Sequence, residues 1–169
     1  MNLKEATAAL HSKAEKMEFN QRMFRGELKT EEYLMYLIQQ LGIFSTIEHS
    51  FPAHVDLMRC ERISEDIHEL LSLNPDLDPP LLDSTADYRQ HLRNLKDPMP
   101  HIYLNYLALA YGGQMMKSKV PGSGRMYDFD NMQEAIGSIR SVQSDDWADE
   151  VNLGFQYIIS ILDELQTNA

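Results

Sequence analysis

Residues 101–120 read HIYLNYLALAYGGQMMKSKV, the most apolar helical stretch of the chain. Its interior holds Gly112-Gly113-Gln114. A glycine inside a helix costs about 1 kcal/mol relative to alanine. Two in succession let a bulky group approach the backbone closely and let the helix bend. Close packing against another helix explains such a pair as well as a bound ligand does. Met115 and Met116, which follow, are soft and adaptable apolar side chains.

The surroundings of this stretch are unusual in charge. The 169-residue chain has a formal net charge of −11, yet no Asp or Glu occurs from Pro98 to Tyr127. Lys117, Lys119 and Arg125 fall in that same interval. An acid-free segment in so acidic a chain implies a buried helix, an anionic ligand, or both. The overall charge would repel a phosphate backbone, which argues against nucleic-acid binding.

Further out, the pattern stays helical. Residues 3–18 place Leu3, Ala6, Leu10, Ala14 and Met17 at helical spacing, and Arg25-Gly26 interrupts. Thr30-Glu31-Glu32 opens a helix that runs to Ser50, closed by Pro52. Residues 56–73 form a third amphipathic stretch, followed by a proline-rich loop at 75–80. Further helices are expected from Asp83 or Ser84 to Leu95, over residues 131–142, and over residues 147–166 behind Ser144-Asp145. Alternating β patterns and internal repeats are absent. The expectation is an all-α fold in a single domain over residues 1–169. No apolar run reaches about 18 residues, so no membrane span is expected. Residues 1–16 carry charges throughout and lack the apolar centre of a secretory signal. The lone Cys60 permits no internal disulfide, which fits a reducing cytoplasm.

On the first helix, positions 4, 7, 11, 14 and 18 share a face, giving Lys4, Thr7, His11, Ala14 and Glu18. Small Thr7 and Ala14 flank the imidazole and leave room for something flat. Glu15 lies one turn beyond His11 and can accept a hydrogen bond from its second ring nitrogen, as partners of axial histidines do. A single helical histidine is ordinarily a surface or core residue. Paired with the glycine helix, however, it suggests two helices sandwiching a planar macrocycle, with nearby lysines meeting acidic substituents at its edge.

Residues 3–19, LKEATAALHSKAEKMEF, and residues 101–114, HIYLNYLALAYGGQ, resemble the proximal-helix and distal-helix motifs of the biliverdin-forming heme oxygenases of mammalian and cyanobacterial type. The resemblance runs almost end to end, including Gly154-Phe155 near the C-terminus. It implies a multi-helix bundle with heme b between the two helices. His11 falls on the iron ligand, Glu15 on its hydrogen-bonding partner, and Lys4 and Tyr103 on residues near the propionates. Ala14, Leu109, Met116, Lys117 and Phe155 fall on or beside the pocket. Arg140 lies about one turn from the family's propionate arginine. Gly112 and Gly113 fall on the glycines that let the distal helix press on the macrocycle, and with Asn105 they are the expected catalytic positions. The implied reaction is oxidative opening of heme by dioxygen and reducing equivalents to biliverdin, carbon monoxide and Fe²⁺. Implied partners are an electron donor such as ferredoxin and a downstream bilin reductase. The cations Lys13, Lys16, Arg22, Arg25 and Lys29 offer such a donor a docking face. A monomer is expected.

The chain departs from the family at the polar network that orders water near bound dioxygen. Leu109 stands where the family has an aspartate, Asn105 where it has an arginine, and Phe44 where it has a tyrosine. The paired small glycine is Ala108. Asn105, Gln39, Gln40 and Tyr111 are the nearby groups that could order water instead. The losses raise a second reading, a heme carrier or sensor without ring opening. Thiamin-compound hydrolysis would need a cysteine nucleophile, and Cys60 sits in a polar stretch. A di-iron centre would need several Glu and His ligands, of which only Glu65 and His68 make a pair.

Overall fold

The computed structural model describes residues 1–51 and 54–168. Helix α1 (Leu3–Glu15) begins at Asn2, whose side chain accepts from the Glu5 backbone N–H at 2.9 Å while the Glu5 carboxylate accepts from the Asn2 N–H at 3.1 Å. This reciprocal pair satisfies donors that a helix start leaves without partners. The periodic pattern over residues 3–18 predicts one helix, but α1 ends at Glu15 and α2 (Glu18–Phe24) follows. Asn20 donates to the Ala14 carbonyl at 3.0 Å and Gln21 to the Glu15 carbonyl at 2.7 Å, so side chains of α2 cap α1. Gly26 ends α2 in the left-handed conformation, φ 73°, that suits glycine after a helix.

Helix α3 (Thr30–Ser50) runs through the main core and buries Tyr33, Leu34, Leu37, Ile43, Phe44 and Ile47. Pro52, expected to close it, lies outside the described residues. Helices α4 (Cys60–Leu73) and α5 (Asp83–Arg93) pack on α3. The expected start of α4 at residue 56 shifts, because residues Val55–Leu57 form a tighter 3₁₀ turn. The Glu48 carboxylate then accepts from the Arg59 and Cys60 backbone N–H groups at the helix start. Gln39, fully buried, donates to the Pro80 carbonyl and accepts from the Leu82 N–H, each at 2.9 Å, and so fastens the proline-rich loop to α3.

The glycine stretch divides. Helix α6 (Met99–Tyr111) begins after Pro98, Gly112 caps it, and a single turn α7 (Gly113–Met116) completes it. The helix expected to reach residue 120 therefore stops at Met116. A Cβ on Gly113 would lie 2.4 Å from Tyr127 Cδ1, so only glycine lets the backbone pass this buried ring. Helix α8 (Met132–Arg140) packs on α6, and α9 (Ala148–Thr167) follows a 3₁₀ turn capped by Ser144. The described residues contain helices and no strands, so the fold is all-α.

Helix α9 holds the two helices of interest. A second apolar cluster joins Leu3 and Ala14 of α1, Leu104 of α6, and Val151 and Phe155 of α9. Asp145 accepts from the Leu3 N–H at 2.9 Å, and Asn152 donates to the Ala6 carbonyl at 3.1 Å. These bonds fix α1 along α9. Gly154 meets α6 with no room for a side chain, since a Cβ there would lie 2.5 Å from Leu104 Cδ2. None of the described helices is long and apolar enough to cross a membrane.

Candidate functional site

Histidine 11 is held on two sides and open on a third. Its Nε2 lies 2.9 Å from Glu15 Oε1, one helical turn away. Its ring stacks on Phe155 of α9, with centroids 5.5 Å apart and planes inclined by 17°. Even so, the imidazole remains 58% exposed. Nε2 faces the Glu15 carboxylate, so Nδ1 is the ring nitrogen that does not. Either ring nitrogen of an imidazole can serve as a metal ligand.

The helical face around His11 differs from the one expected. Thr7 and Ala14 are buried, Thr7 donates to the Leu3 carbonyl at 2.9 Å, and Ala14 belongs to the cluster on α9. They anchor the helix instead of widening a space beside the imidazole. The face open to solvent runs through Lys4, Ala8, His11 and Glu15.

The end of α6 and the turn after it also carry exposed residues. Ala108, Tyr111, Gly112 and Met115 are all exposed, although they belong to the most apolar stretch of the chain. Tyr111 is 54% and Met115 58% exposed. A Cβ on Gly112 would meet only the Ala108 carbonyl oxygen, at 3.2 Å, so one side of that backbone is open. An exposed apolar strip of this kind marks a surface that a ligand or partner covers. The two glycines thus divide their work, Gly113 against Tyr127 and Gly112 facing outward.

The polar residues expected at the site are distributed differently. Arg140 stands beside this face, with its guanidinium 5.8 Å from the Tyr103 ring centroid and 5.5 Å from that of Tyr111. The Tyr111 hydroxyl and burial act on Arg140 in opposite directions, and the hydrogen bond raises its pKa. Lys4 is exposed and makes no ion pair among the described residues. Lys117 instead pairs with Asp128 at 2.6 Å, and Arg125 faces Glu65 and Glu69, each at 3.7 Å. Lys119 lies over the Phe24 ring at 4.6 Å. The cations of the acid-free stretch are thus balanced by acids and a ring from elsewhere in the chain. Met116 packs half-buried against the main core.

The positions of the expected water network are buried. Leu109 is 6% exposed within the main core. Phe44 meets Tyr106 edge to face at 4.8 Å. Asn105 is buried and donates to the Tyr88 hydroxyl at 3.0 Å and to the His101 carbonyl at 2.9 Å. Gln39 is occupied with the proline-rich loop. Of the groups named as substitutes, Tyr111 is the one on the open face of α6.

Cys60 offers no nucleophile, because burial and the Glu48 carboxylate push its thiol up to about 12. Glu65 faces Arg125, and His68 is exposed and belongs to no group of three metal-ligating side chains among the described residues. The basic face near α1 is partly neutralised. Arg22 is bound to Glu32, and Arg25 to Glu27 and Glu18, whereas Lys13, Lys16 and Lys29 stay exposed.

Comparison with known proteins shows the family and the fold. The chain is 27% identical to heme oxygenase 1 of Bos taurus and 24% identical to that of Gallus gallus, matching over 79% of its own length in each case. It spans about half the length of these curated relatives, 55% and 54%. Among solved structures it superposes on heme oxygenase-1 of the cyanobacterium Synechocystis in complex with heme, with a TM-score of 0.83, 20% identity, and coverage of 98% of this chain and 91% of that one. It also superposes on the heme oxygenase of Leptospira interrogans, with a TM-score of 0.79, 20% identity, and coverage of 96% and 97%. These likenesses show the fold. The heme oxygenase family model matches residues 1–140, most of the chain, and by that match this chain belongs to the heme oxygenase family.

Proposed function

We propose that the chain binds one heme b between the open faces of α1 and α6 and opens it to biliverdin, carbon monoxide and Fe²⁺ using dioxygen and external electrons. The observation that carries this reading is the exposed His11, paired with Glu15 and stacked on Phe155, together with an exposed apolar strip at the end of α6 and in α7. Heme, when bound, supplies the iron that activates dioxygen and is also the ring that is cleaved.

The chain's own residues supply placement. His11 would hold the iron through Nδ1, the nitrogen that does not face Glu15. Glu15 would keep the imidazole in one orientation. Ala108 and Gly112 give a flat surface, and Tyr111 and Met115 exclude water from it. Lys4 and Arg140 are the exposed cations for the two propionates, with Tyr103 beneath Arg140. Electrons arrive from a donor such as an acidic ferredoxin docked on Lys13, Lys16 and Lys29. A bilin reductase would consume the product. The protein acts as a monomeric single domain, residues 1–169, in the cytoplasm.

The burial of Leu109 and Phe44 in apolar surroundings, and of Asn105 against Tyr88, favours a second reading, a heme carrier or sensor of the same fold without ring opening. Single turnover with stoichiometric heme, a ferredoxin reducing system and catalase separates the two. Loss of the Soret band with biliverdin appearing supports the enzyme. A stable Soret band that His11→Ala abolishes supports the carrier. A Soret spectrum unchanged by His11→Ala overturns the ligand assignment in both.

A further inference from the structure

The side of α6 turned toward α5 and α9 carries a cluster that the heme reading does not use. His91 of α5, His101 of α6 and Glu150 of α9 converge on one point. His91 Nε2 lies 2.5 Å and His101 Nε2 2.7 Å from the same oxygen, Glu150 Oε1. His101 Nδ1 lies 2.6 Å from the Tyr88 hydroxyl, which also accepts from Asn105. Tyr157 stacks on Tyr88, with centroids 5.0 Å apart and planes inclined by 10°. His101 is fully buried, while His91 is 23% and Glu150 31% exposed, so the cluster is walled on one side and reachable from solvent on the other.

We infer that His91, His101 and Glu150 form a binding site for one borderline divalent transition-metal ion, with Zn²⁺ the best match. Two imidazole nitrogens and one carboxylate oxygen are the donor set that Zn²⁺, Co²⁺ and Ni²⁺ favour over Mg²⁺ and Ca²⁺. The three donor atoms already lie within 4.8 Å of one another. Zinc–nitrogen and zinc–oxygen bonds of about 2.0 Å require donor atoms about 3.2 Å apart in a tetrahedral set. To admit the ion, the separation from Glu150 Oε1 grows by about 0.7 Å for His91 and about 0.5 Å for His101. Partly exposed His91 and Glu150 can supply most of that movement.

His101 does not need to move far, because Tyr88 already fixes its ring from behind. On binding, His101 carries its proton on Nδ1 and donates it to the Tyr88 oxygen, the outer contact that orients metal-bound histidines. The fourth position falls on the solvent side, where a water completes the set. The three ligands come from three helices, so the ion ties α5, α6 and α9 together. None of them is among the residues assigned to heme, and the inference does not rest on the heme reading.

The test is Zn²⁺ titration of the purified heme-free full chain by equilibrium dialysis, with Co²⁺ absorption as the reporter of nitrogen ligation. Expected are one ion per chain at this site, visible Co²⁺ bands of a four- or five-coordinate centre, and a thermal midpoint that rises with Zn²⁺. His91→Ala and Glu150→Gln, both at partly exposed positions, each weaken binding at least tenfold and abolish the thermal shift. Tyr88→Phe weakens it by about tenfold through the lost outer contact. His11→Ala and His54→Ala leave it unchanged, the latter because His54, Asp56 and Glu134 form a separate group. Absence of a bound ion, or wild-type affinity retained by either His91→Ala or Glu150→Gln, overturns the assignment.

Discussion

Two adjacent glycines of the same sequence motif stand in opposite environments, and a methyl group tells them apart. At Gly113 the added carbon would lie 2.4 Å from Cδ1 and 3.0 Å from Cε1 of Tyr127, a ring that is 2% exposed. Overpacking of that kind costs about 1–3 kcal/mol, so Gly113→Ala lowers stability by roughly 2 kcal/mol. At Gly112 the carbon meets one carbonyl oxygen at 3.2 Å, and the gain of up to about 1 kcal/mol in helix propensity offsets the small adjustment. Gly112→Ala therefore leaves stability within about 1 kcal/mol of the parent but weakens heme binding by placing a methyl on the open face. Urea denaturation of the heme-free proteins and Soret titration read the two effects separately. Equal losses of stability in both variants would contradict the division. Leu109 raises a related point. The family resemblance suggests that Leu109→Asp restores a polar network, but the side chain is 6% exposed in apolar surroundings. An unpaired carboxylate there lowers stability by about 3 kcal/mol or more, visible as a drop in denaturation midpoint before any assay of dioxygen chemistry.

Helices α2 and α3 are joined by a charged contact whose strength depends on pH. Arg22 donates to both carboxylate oxygens of Glu32 at 2.7 Å, and the Lys29 backbone N–H adds a third bond at 3.0 Å. The Arg22 hydrogen bonds hold the Glu32 carboxyl below its ordinary value of 4.5 against the opposing effect of burial. A carboxyl lowered in the folded state contributes stability that is complete above the unfolded value and is lost as pH falls through the folded one. The expected result is that Glu32→Gln is less stable than the parent at neutral pH by roughly 1–2 kcal/mol. The difference shrinks as pH falls below 4.5, measured as unfolding free energy in buffers spanning that range. A difference constant with pH would place the contribution of Glu32 in packing instead. At this scale most of the molecule was legible. Helices α5, α8 and α9 follow the apolar spacing closely, because each buries one stripe, and α3 was legible from its apolar content, since it is buried on most sides. The corner between α1 and α2 was not, since Asn20 and Gln21 bond to carbonyls six residues back and leave no mark on the periodicity. The need for glycine at 113 was visible only as a capacity to bend, because the ring it passes belongs to position 127.

Across the whole molecule, α9 fixes the spacing of the two helices that form the candidate site, through neighbouring residues of different size. Phe155 supports the His11 ring, and Gly154 admits α6 into contact. The sequence made His11, Glu15 and the glycine pair recognisable as a motif. It could not show that Thr7 and Ala14 face inward, nor that Lys117 pairs with Asp128, because those outcomes depend on which face of each helix meets α9 or the following loop. The His91–His101–Glu150 cluster was invisible for the same reason, being assembled from three helices 10 and 49 residues apart along the chain. Gly154→Ala tests the spacing directly. The new carbon would lie 2.5 Å from Leu104 Cδ2 and 3.1 Å from His101 Nδ1. Leu104 can turn away only within a packed cluster, and His101 is held by Tyr88 and Glu150. Relief therefore requires α9 to retreat from α6, and Phe155 moves with it relative to His11. Stability should fall by about 1–3 kcal/mol. Heme affinity should fall as well, although neither Gly154 nor its new methyl faces the groove. Loss of stability with unchanged heme affinity would mean that α1 follows α9 as a rigid pair and that the groove adjusts on the α6 side.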